Sequence, residues 1–382
     1  MQRMASHARA GRAALALLFF LSGFTGLIYQ VLWVRRFTHV MGSSSVSVSV
    51  VIAAFMGGLF LGAVVLARLL HRCRVELRWY AALEGLIGVW GLFFVWAFPH
   101  LADAYGWLPQ GGSGFAGLAP KASFSALLIL PPTAAMGATL PLMVQYVERR
   151  GSSFADAIGW LYAVNTAGGA FGALLAGFVL IEFVGINTSL LLMAAINLAV
   201  GLAAWRLAAK PEGRTEPAAA TDEPTGAGAA SPLLAVAFAS GFAAIGCEVL
   251  WTRGLKFIIQ SSTYSYSLIL GLFLVGLGLG GASYQRWCTG VDQRLLYGRL
   301  QSGIAAWVLL TLSLLYSVAP MPWFQDGLLG LVYDSAYHWS LGLLTFGLIC
   351  LIVLLPPTIA MGVSFPALSN LYHRSTGRLA GR

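Results

Sequence analysis

The chain has 382 residues, of which 58% are hydrophobic and 10% are charged, and its formal net charge at pH 7 is +9. Soluble domains carry about 25% charged residues, so this composition excludes an ordinary soluble protein and predicts an all-α, polytopic integral membrane protein. The four cysteines form no CxxC pair and the six histidines are scattered. This arrangement argues against a disulfide framework or a metal centre.

Ten apolar segments follow one another along the chain. Each is close to the roughly 20 residues that an α-helix needs to cross about 30 Å of hydrocarbon. They run over 13–34, 44–67, 79–98, 123–147, 157–181, 187–206, 232–252, 262–285, 300–319 and 340–367. The sequence therefore predicts ten transmembrane helices.

The basic residues are concentrated in alternate connections between these segments. They cluster in 3–12, 68–78, 149–150, 206–214, 286–299 and 374–382. If the helices alternate in direction, all these clusters lie on one side. Because cytoplasmic loops are enriched in Lys and Arg, we expect both termini to be cytoplasmic in a multi-pass protein of the cell (inner) membrane. The charge thus indicates topology, and nucleic acid is not an expected partner.

Two stretches of the chain occur twice, in the same order. Residues 22–35, SGFTGLIYQVLWVR, return as residues 240–253, SGFAAIGCEVLWTR. Residues 130–141, LPPTAAMGATLP, return as residues 355–366, LPPTIAMGVSFP, with eight of the twelve positions identical. The duplication predicts two internal repeats.

The first repeat covers residues 1–210 with six helices, and the second covers residues 232–382 with four. Residues 211–231 join them and are rich in Pro, Ala, Gly and charge, which predicts a flexible cytoplasmic linker. An even number of helices gives both repeats the same orientation, the parallel arrangement of major facilitator transporters. The second repeat is expected to lack its last two helices: either the sequence is cut, or a membrane partner covers the exposed flank.

Three motifs in order carry a resemblance to a known family. They are SGFTGLIYQVLWVRR, LPPTAAMGATLP and GWLYAVNTAGGAFGALLAG. With them, the chain resembles the membrane domain of the fused spermidine synthase-like (polyamine aminopropyltransferase-like) proteins, in which a facilitator-like region precedes a soluble Rossmann-type domain. The resemblance implies polyamine-type chemistry or substrates. It also implies that the catalytic part would follow the last membrane helix, so no catalytic residue is carried over to this chain.

Glu248 is the leading candidate for a binding residue because an ionisable side chain within a membrane helix needs a partner or a role. Its counterpart in the first repeat is Gln30. The expected cation is Arg35 or Arg36 from the first helix, or a cationic substrate. The alternative interpretation is a structural bond that locks the two halves together.

The proline-rich segments predict paired helix interruptions, because proline removes a backbone donor and frees the carbonyl four residues earlier. Interruptions at corresponding places in two repeats are typical of transporter binding sites. The interruption is assigned to six residues: Pro131, Pro132, Gly137, Pro356, Pro357 and Gly362. Thr133 and Thr358 are the hydroxyls expected to meet the freed groups. A fixed kink needed only for packing is the alternative.

Further polar residues lie within predicted helices. Asn165 and Thr166 sit beside glycines, so they are predicted either to pack between helices or to line a site. Glu84 is expected to extend toward the membrane surface, and Trp33 and Trp251 are expected to be interfacial anchors. Two GxGxxG sequences lack the strand and βαβ context of a nucleotide site, and no cofactor is predicted.

Two functions stay open from the sequence. The first is a facilitator-like membrane protein that binds or moves a small solute, cationic or amine-bearing, between the two repeats. The second is a membrane anchor or accessory subunit of a split spermidine synthase-like enzyme, with the soluble aminopropyltransferase-like domain as a separate partner chain. Enzyme activity of this chain itself is uncertain because it carries no catalytic motif.

Overall fold

The computed structural model describes residues 2–41, 44–71, 76–107, 115–152, 154–209, 227–255, 262–288, 290–318, 320–324, 326 and 339–380. Within these ranges the chain is helical apart from short turns and contains no β-strand. Most of the predicted linker, residues 211–226, lies outside the described residues.

The helices are numbered in chain order. Unit 1 contains α1 (Gln2–Met41), α2 (Ser44–Leu61), a π-helical turn (Gly62–Leu66), α3 (Ala67–His71), α4 (Glu76–Gly106), α5 (Phe115–Glu148), α6 (Phe154–Leu175), a second π-helical segment (Ala176–Val184) and α7 (Ile186–Ala208). Unit 2 contains α8 (Ala227–Leu255), α9 (Ser262–Trp287), α10 (Gln293–Val318) and α11 (Trp339–Ala380). These units are Met1–Ala218 and Ala219–Arg382.

Ten helical segments within the described residues are long and apolar enough to cross a membrane. Every predicted span overlaps one of them, so the chain is a multi-pass membrane protein. The first span continues to Met41 and the ninth begins at Gln293, several residues beyond the predicted ends. No proline stops the helix at either place, so backbone hydrogen bonding continues into the flanking polar residues.

Unit 1 is built from pairs of packed helices. α1 packs against α6, α2 against α5, and α4 against α7. Small residues make the α2–α5 contact close: a Cβ at Gly58 would overlap the hydroxyl of Thr133, and one at Gly137 would overlap the backbone of Leu59. Glycine at such positions lets two membrane helices approach to backbone contact.

Unit 2 repeats this contact between α9 and α11. A Cβ at Gly276 would overlap the hydroxyl of Thr358, and one at Gly362 would overlap the backbone of Leu277. These residues align in sequence with those that make the α2–α5 contact. The second GxGxxG sequence, residues 276–281, therefore supplies helix packing, as its position in a predicted span indicated.

The two matched tryptophans of the duplicated stretch lie in the cores of their units. Trp33 stacks on Tyr29 at 5.3 Å between ring centroids, and Trp251 belongs to an apolar cluster with Ile269 and Phe273. Both tryptophans are almost fully buried. The prediction that they are interfacial anchors is wrong, because each indole faces neighbouring helices rather than the membrane surface.

We predict that Gly137→Ala and Gly362→Ala each destabilise the protein by about 1–3 kcal/mol, the usual cost of overpacking. The added methyl group meets backbone atoms of Leu59 or Leu277, which cannot rotate away. The loss should exceed the gain of up to about 1 kcal/mol in helix propensity. The denaturation midpoint of the purified protein in detergent measures the change.

Gly57→Ala is the matched control, because its Cβ would lie 3.9 Å from Leu130 in ordinary van der Waals contact. We expect it to be neutral or stabilising. Equal midpoints for Gly57→Ala and Gly137→Ala would contradict the close helix contact.

Candidate functional site

A buried polar cluster in unit 1 surrounds the carboxylate of Glu84. This residue lies on α4 and has no exposed surface. The hydroxyl of Ser22 on α1 donates to Oε1 at 2.5 Å, and Nδ2 of Asn197 on α7 donates to Oε2 at 2.7 Å. One turn earlier on α4, the hydroxyl of Tyr80 donates to the backbone carbonyl of Leu18 at 3.2 Å. The cluster therefore ties three helices together through hydrogen bonds.

The prediction that Glu84 extends toward the membrane surface is wrong. Its distance along the chain from Arg78 indicated the depth of the carboxylate but not the direction in which α4 presents it. Both carboxylate oxygens accept a hydrogen bond from a neutral donor on a neighbouring helix, which is how buried polar groups are normally satisfied. Sequence reasoning missed Ser22 and Asn197 as the donors to Glu84, because each looked like an isolated polar residue within an apolar run.

Glu248 is the second carboxylate buried within a predicted span, and its surroundings differ. It lies on α8 and is 3% exposed. Its Oε1 is buried and has no hydrogen-bond partner among the described residues. The hydroxyl of Thr252 lies one turn away but donates to the backbone carbonyl of Glu248, at 2.8 Å, rather than to the carboxylate. The group is therefore able to accept a further donor.

Gln30, the sequence counterpart of Glu248, is fully buried on α1. It precedes the aromatic cluster in which Trp33 and Phe94 lie 5.6 Å apart between ring centroids. The two sequence-matched positions are thus buried in both units, although one carries an amide and the other a carboxyl group. Direct contact of either residue with a substrate stays a prediction.

The proline-rich segments do not break their helices. α5 runs through Pro131 and Pro132 and α11 runs through Pro356 and Pro357. The prolines therefore remove backbone hydrogen bonds but do not end or divide the helices. The close approaches at Gly137 and Gly362, described above, belong to the same segments.

In each unit, a tryptophan side chain donates a hydrogen bond to one of the carbonyls that the proline pair frees. In unit 1, Nε1 of Trp90 donates to the carbonyl of Leu128 at 2.9 Å, and Leu128 lies four residues before Pro132. In unit 2, Nε1 of Trp307 donates to the carbonyl of Val353 at 3.2 Å, four residues before Pro357. Each indole thus satisfies the carbonyl that a proline leaves without its helical donor.

Thr133 and Thr358 were expected to meet the freed carbonyls, and their hydrogen bonds are to other groups. Thr133 donates to Ile129 at 2.7 Å, and Thr358 donates to Leu354 at 2.7 Å. Both are bonds to the carbonyl one turn earlier on the same helix. The matched positions of Trp90 and Trp307 were the available sequence signal for the correct donors.

Asn165 and Thr166 lie where α6 contacts α1. A Cβ at Gly23 would overlap the carbonyl of Asn165, and one at Gly168 would overlap the carbonyl of Phe20. Thr166 is buried and Asn165 is partly buried. The observed contact is helix packing, and a binding role for these two side chains stays a prediction.

Arg35 lies in unit 1 beside a cavity of about 460 Å³. Arg36 and His39 line the same cavity, together with the first residues of α7. The side chain of Arg36 donates to Oδ1 of Asn187 on α7. We call this space the basic cavity. Among the described residues, no group of three or more His, Cys, Asp or Glu side chains could hold a metal ion.

The Trp90 contact generates a double-mutant prediction. Trp90→Phe should cost about 1–3 kcal/mol of stability, because it leaves the buried carbonyl of Leu128 without a donor. In a Pro132→Ala background the new backbone N–H supplies that donor, so Trp90→Phe should cost much less there. Denaturation midpoints of the four proteins give the coupling free energy.

Pro131→Ala is the control background, since its missing donor belongs to the carbonyl of Leu127 instead. The cost of Trp90→Phe should be unchanged there. The same cost in all three backgrounds would contradict the assigned role of the indole.

The comparisons with known proteins add one similarity. The chain is 26% identical over 179 residues to polyamine aminopropyltransferase 2 of Streptomyces coelicolor. The alignment covers 47% of this chain and 31% of that protein, so the chain spans about a third of the length of the relative it matches. No protein-family model matches the chain. The similarity supports the resemblance to spermidine synthase-like proteins that the motifs indicate.

Proposed function

We propose that the chain is a facilitator-like membrane protein that binds or moves a small amine-bearing cation of the polyamine class. The observation that carries this proposal is the carboxyl group of Glu248, which is buried within a membrane span and has an oxygen without a hydrogen-bond partner among the described residues. Glu248, rather than Glu84, is the candidate because neutral donors already occupy both oxygens of Glu84.

The physical reason is the cost of an ionisable group in hydrocarbon. A charged side chain at a helix centre costs about 2.5–3.5 kcal/mol on insertion scales, so such groups mark ion or substrate pathways. A primary ammonium carries three N–H donors and a positive charge, which complements a carboxylate better than any neutral donor. The similarity to a polyamine aminopropyltransferase supports polyamines as the class of cation.

The facilitator-like architecture rests on the duplicated sequence and on matched contacts within each unit. The glycine packing of α2–α5 recurs in α9–α11, and the Trp90 bond to Leu128 recurs as the Trp307 bond to Val353. We propose that the units are parallel repeats of one ancestral helix bundle. The distribution of basic loops supports cytoplasmic termini in an inner membrane.

A second function has its own supporting observations. The chain would be the membrane anchor or accessory subunit of an aminopropyltransferase-like enzyme whose catalytic domain is a separate chain. The similarity to polyamine aminopropyltransferase 2 favours it. A membrane partner has a separate supporting observation on α8: Phe242 is 73% exposed, whereas its sequence counterpart Phe24 stacks on Phe171 of α6. This exposed part of α8 suits a further membrane helix.

Glu248→Gln tests the first function. It keeps the shape of the side chain and removes the charge, so affinity for spermidine should fall by at least about tenfold, the loss expected for a charge-assisted hydrogen bond. Binding of labelled spermidine to the purified protein and uptake into proteoliposomes are the measurements. Glu182→Gln is the matched control, because Glu182 is exposed near the end of its span.

We expect Glu182→Gln to bind and transport as the unchanged protein does. If a folded Glu248→Gln protein bound spermidine with unchanged affinity, Glu248 would not belong to the binding site. Absence of saturable spermidine binding by the unchanged protein would exclude the proposed solute class.

The second function predicts a different result. A soluble aminopropyltransferase-like enzyme from the same genome should co-purify with the membrane chain and should transfer aminopropyl groups faster when the chain is present in liposomes. Phe242→Ser should weaken association with a membrane partner that packs on α8, whereas Leu309→Ser on the exposed side of α10 should not. If the enzyme neither co-purified with the chain nor changed its rate in the presence of the chain, this role would be excluded.

A further inference from the structure

We infer that the basic cavity of unit 1 is a binding site for a phosphate group. The cavity has a volume of about 460 Å³ and is open to the outside over much of its surface. Arg35, Arg36 and His39 line it from the end of α1, and residues 185–188 line it from the start of α7. Glu84, the buried carboxylate of the same unit, does not line this cavity.

The charge of this cavity is positive and is not balanced by its own lining. Two guanidinium groups and one imidazole face it, and no Asp or Glu is among the lining residues. Among the described residues, no hydrogen bond or ion pair to Arg35 is present. Glu182 follows the lining residue Ile181 in the chain but is exposed and does not itself line the cavity. The cavity therefore presents a guanidinium fork that is free for an oxyanion.

The neighbouring contacts hold the second guanidinium in place. Arg36 donates to Oδ1 of Asn187, the second residue of α7, and its guanidinium carbon lies 5.5 Å from the centroid of the Phe98 ring. These two contacts orient Arg36 without neutralising its charge. Pre-orientation of a binding group lowers the entropy lost when a ligand binds.

The start of α7 supplies donors at the same cavity. Gly185 has φ +82°, a conformation that glycine adopts without strain, and α7 begins at the next residue. No side chain caps this helix start. The first backbone N–H of α7 that bonds within the described chain is that of Ser189, to the carbonyl of Gly185 at 3.1 Å.

The hydroxyl of Ser189 does not cap the helix start. It donates instead to the carbonyl of Gly185, at 2.7 Å. The N–H groups of Ile186, Asn187 and Thr188 therefore remain available, and the helix dipole adds partial positive charge at their position. Uncapped N–H groups beside two guanidinium groups make a site suited to phosphate.

Two sources of phosphate share this chemistry. The cavity lies where the span Gly11–Met41 ends and the span Ile186–Ala208 begins, which is the depth of a phospholipid headgroup. A soluble phosphate ion or phosphomonoester reaches the same place from water. The shared feature is the phosphate group, and the experiment separates the sources.

The test uses the purified full chain and two titrations. One adds inorganic phosphate to the protein in neutral detergent and follows binding by calorimetry. The other measures retention of phosphatidylglycerol, against phosphatidylcholine, by native mass spectrometry of nanodisc-derived protein. We expect saturable binding in at least one titration, weakened by salt. Arg35→Gln should lower the affinity about tenfold, the loss typical of a charge-assisted hydrogen bond.

Arg253→Gln is the matched control. Arg253 aligns with Arg35 in the duplicated stretch, is exposed on α8 and does not line the cavity. Arg253→Gln lowers the net charge by the same amount as Arg35→Gln. Because Arg253 does not line the cavity, we expect the affinity for phosphate to change by less than about twofold. Circular dichroism and size-exclusion chromatography verify that each variant is folded.

Thr188→Asp provides a second variant that should fold, because an acidic side chain in the first turn stabilises a helix. Thr188 is exposed and lines the cavity, so the new carboxylate competes with phosphate and should weaken binding by at least as much as Arg35→Gln. Binding of inorganic phosphate alone assigns a soluble ligand, and retention of phosphatidylglycerol alone assigns a lipid headgroup.

Three results would overturn the inference. The first is an unchanged protein that binds neither inorganic phosphate nor phosphatidylglycerol. The second is an equal loss of affinity in Arg253→Gln and Arg35→Gln, which would indicate a general effect of net charge. The third is full affinity in Thr188→Asp. None of these outcomes bears on spermidine binding at Glu248, so the two proposals fail or stand separately.

Discussion

Hydrogen bonding of the backbone in hydrocarbon is the constraint on which the rest of this structure depends. No water is present there to donate a hydrogen bond to an unpaired carbonyl, so each carbonyl needs a donor from the protein. Pro132 and Pro357 each remove one donor, and the indoles of Trp90 and Trp307 replace it from neighbouring helices. A local defect in one helix is thereby converted into a bond between two helices. The second proline of each pair is thus accompanied by a hydrogen bond between α4 and α5 in unit 1 and between α10 and α11 in unit 2.

The same constraint separates the two buried carboxyl groups. Glu84 lies at the junction of α1, α4 and α7, where donors from Ser22 and Asn197 occupy both oxygens. Glu248 lies near the end of α8, and the adjacent Thr252 bonds to the backbone instead. The two glutamates thus differ in whether their carboxylate oxygens already accept hydrogen bonds, because different polar residues lie near them. Satisfied groups hold helices together, and a group with an unused acceptor is able to bind a solute.

The sequence was sufficient to predict the number of spans, because span length and apolar composition alone determine it. It was not sufficient to predict which way a side chain faces. Trp33 and Trp251 stand next to arginines, as interfacial residues do, yet they are buried. Glu84 is close in sequence to a basic helix end, yet it faces α1 and α7. These orientations depend on tertiary packing, which a single helix does not encode.

The sequence also did not show which groups the candidate residues bond to. The proline segments were predicted as paired interruptions, but both helices continue through them. The donors assigned to them were wrong, since Thr133 and Thr358 bond within their own helices. The correct donors lie on α4 and α10, far from the prolines in sequence. Such a pairing becomes visible only when the same residue type is matched across both copies. Likewise, the basic cavity joins residues more than one hundred positions apart, such as Arg36 and Asn187.

The two units share the residues of their close helix contacts but differ in the positions of their carboxyl groups. Positions that make close helix contacts are the same in both units, as with Gly137 and Gly362. Positions with carboxyl groups are not the same: Glu248 aligns with Gln30, and Glu84 aligns with Gln301. Each unit therefore has one carboxyl group and one amide at this pair of positions, in exchanged order. The close helix contacts thus use the same residues in both units, whereas the buried carboxyl group lies on α4 in one unit and on α8 in the other.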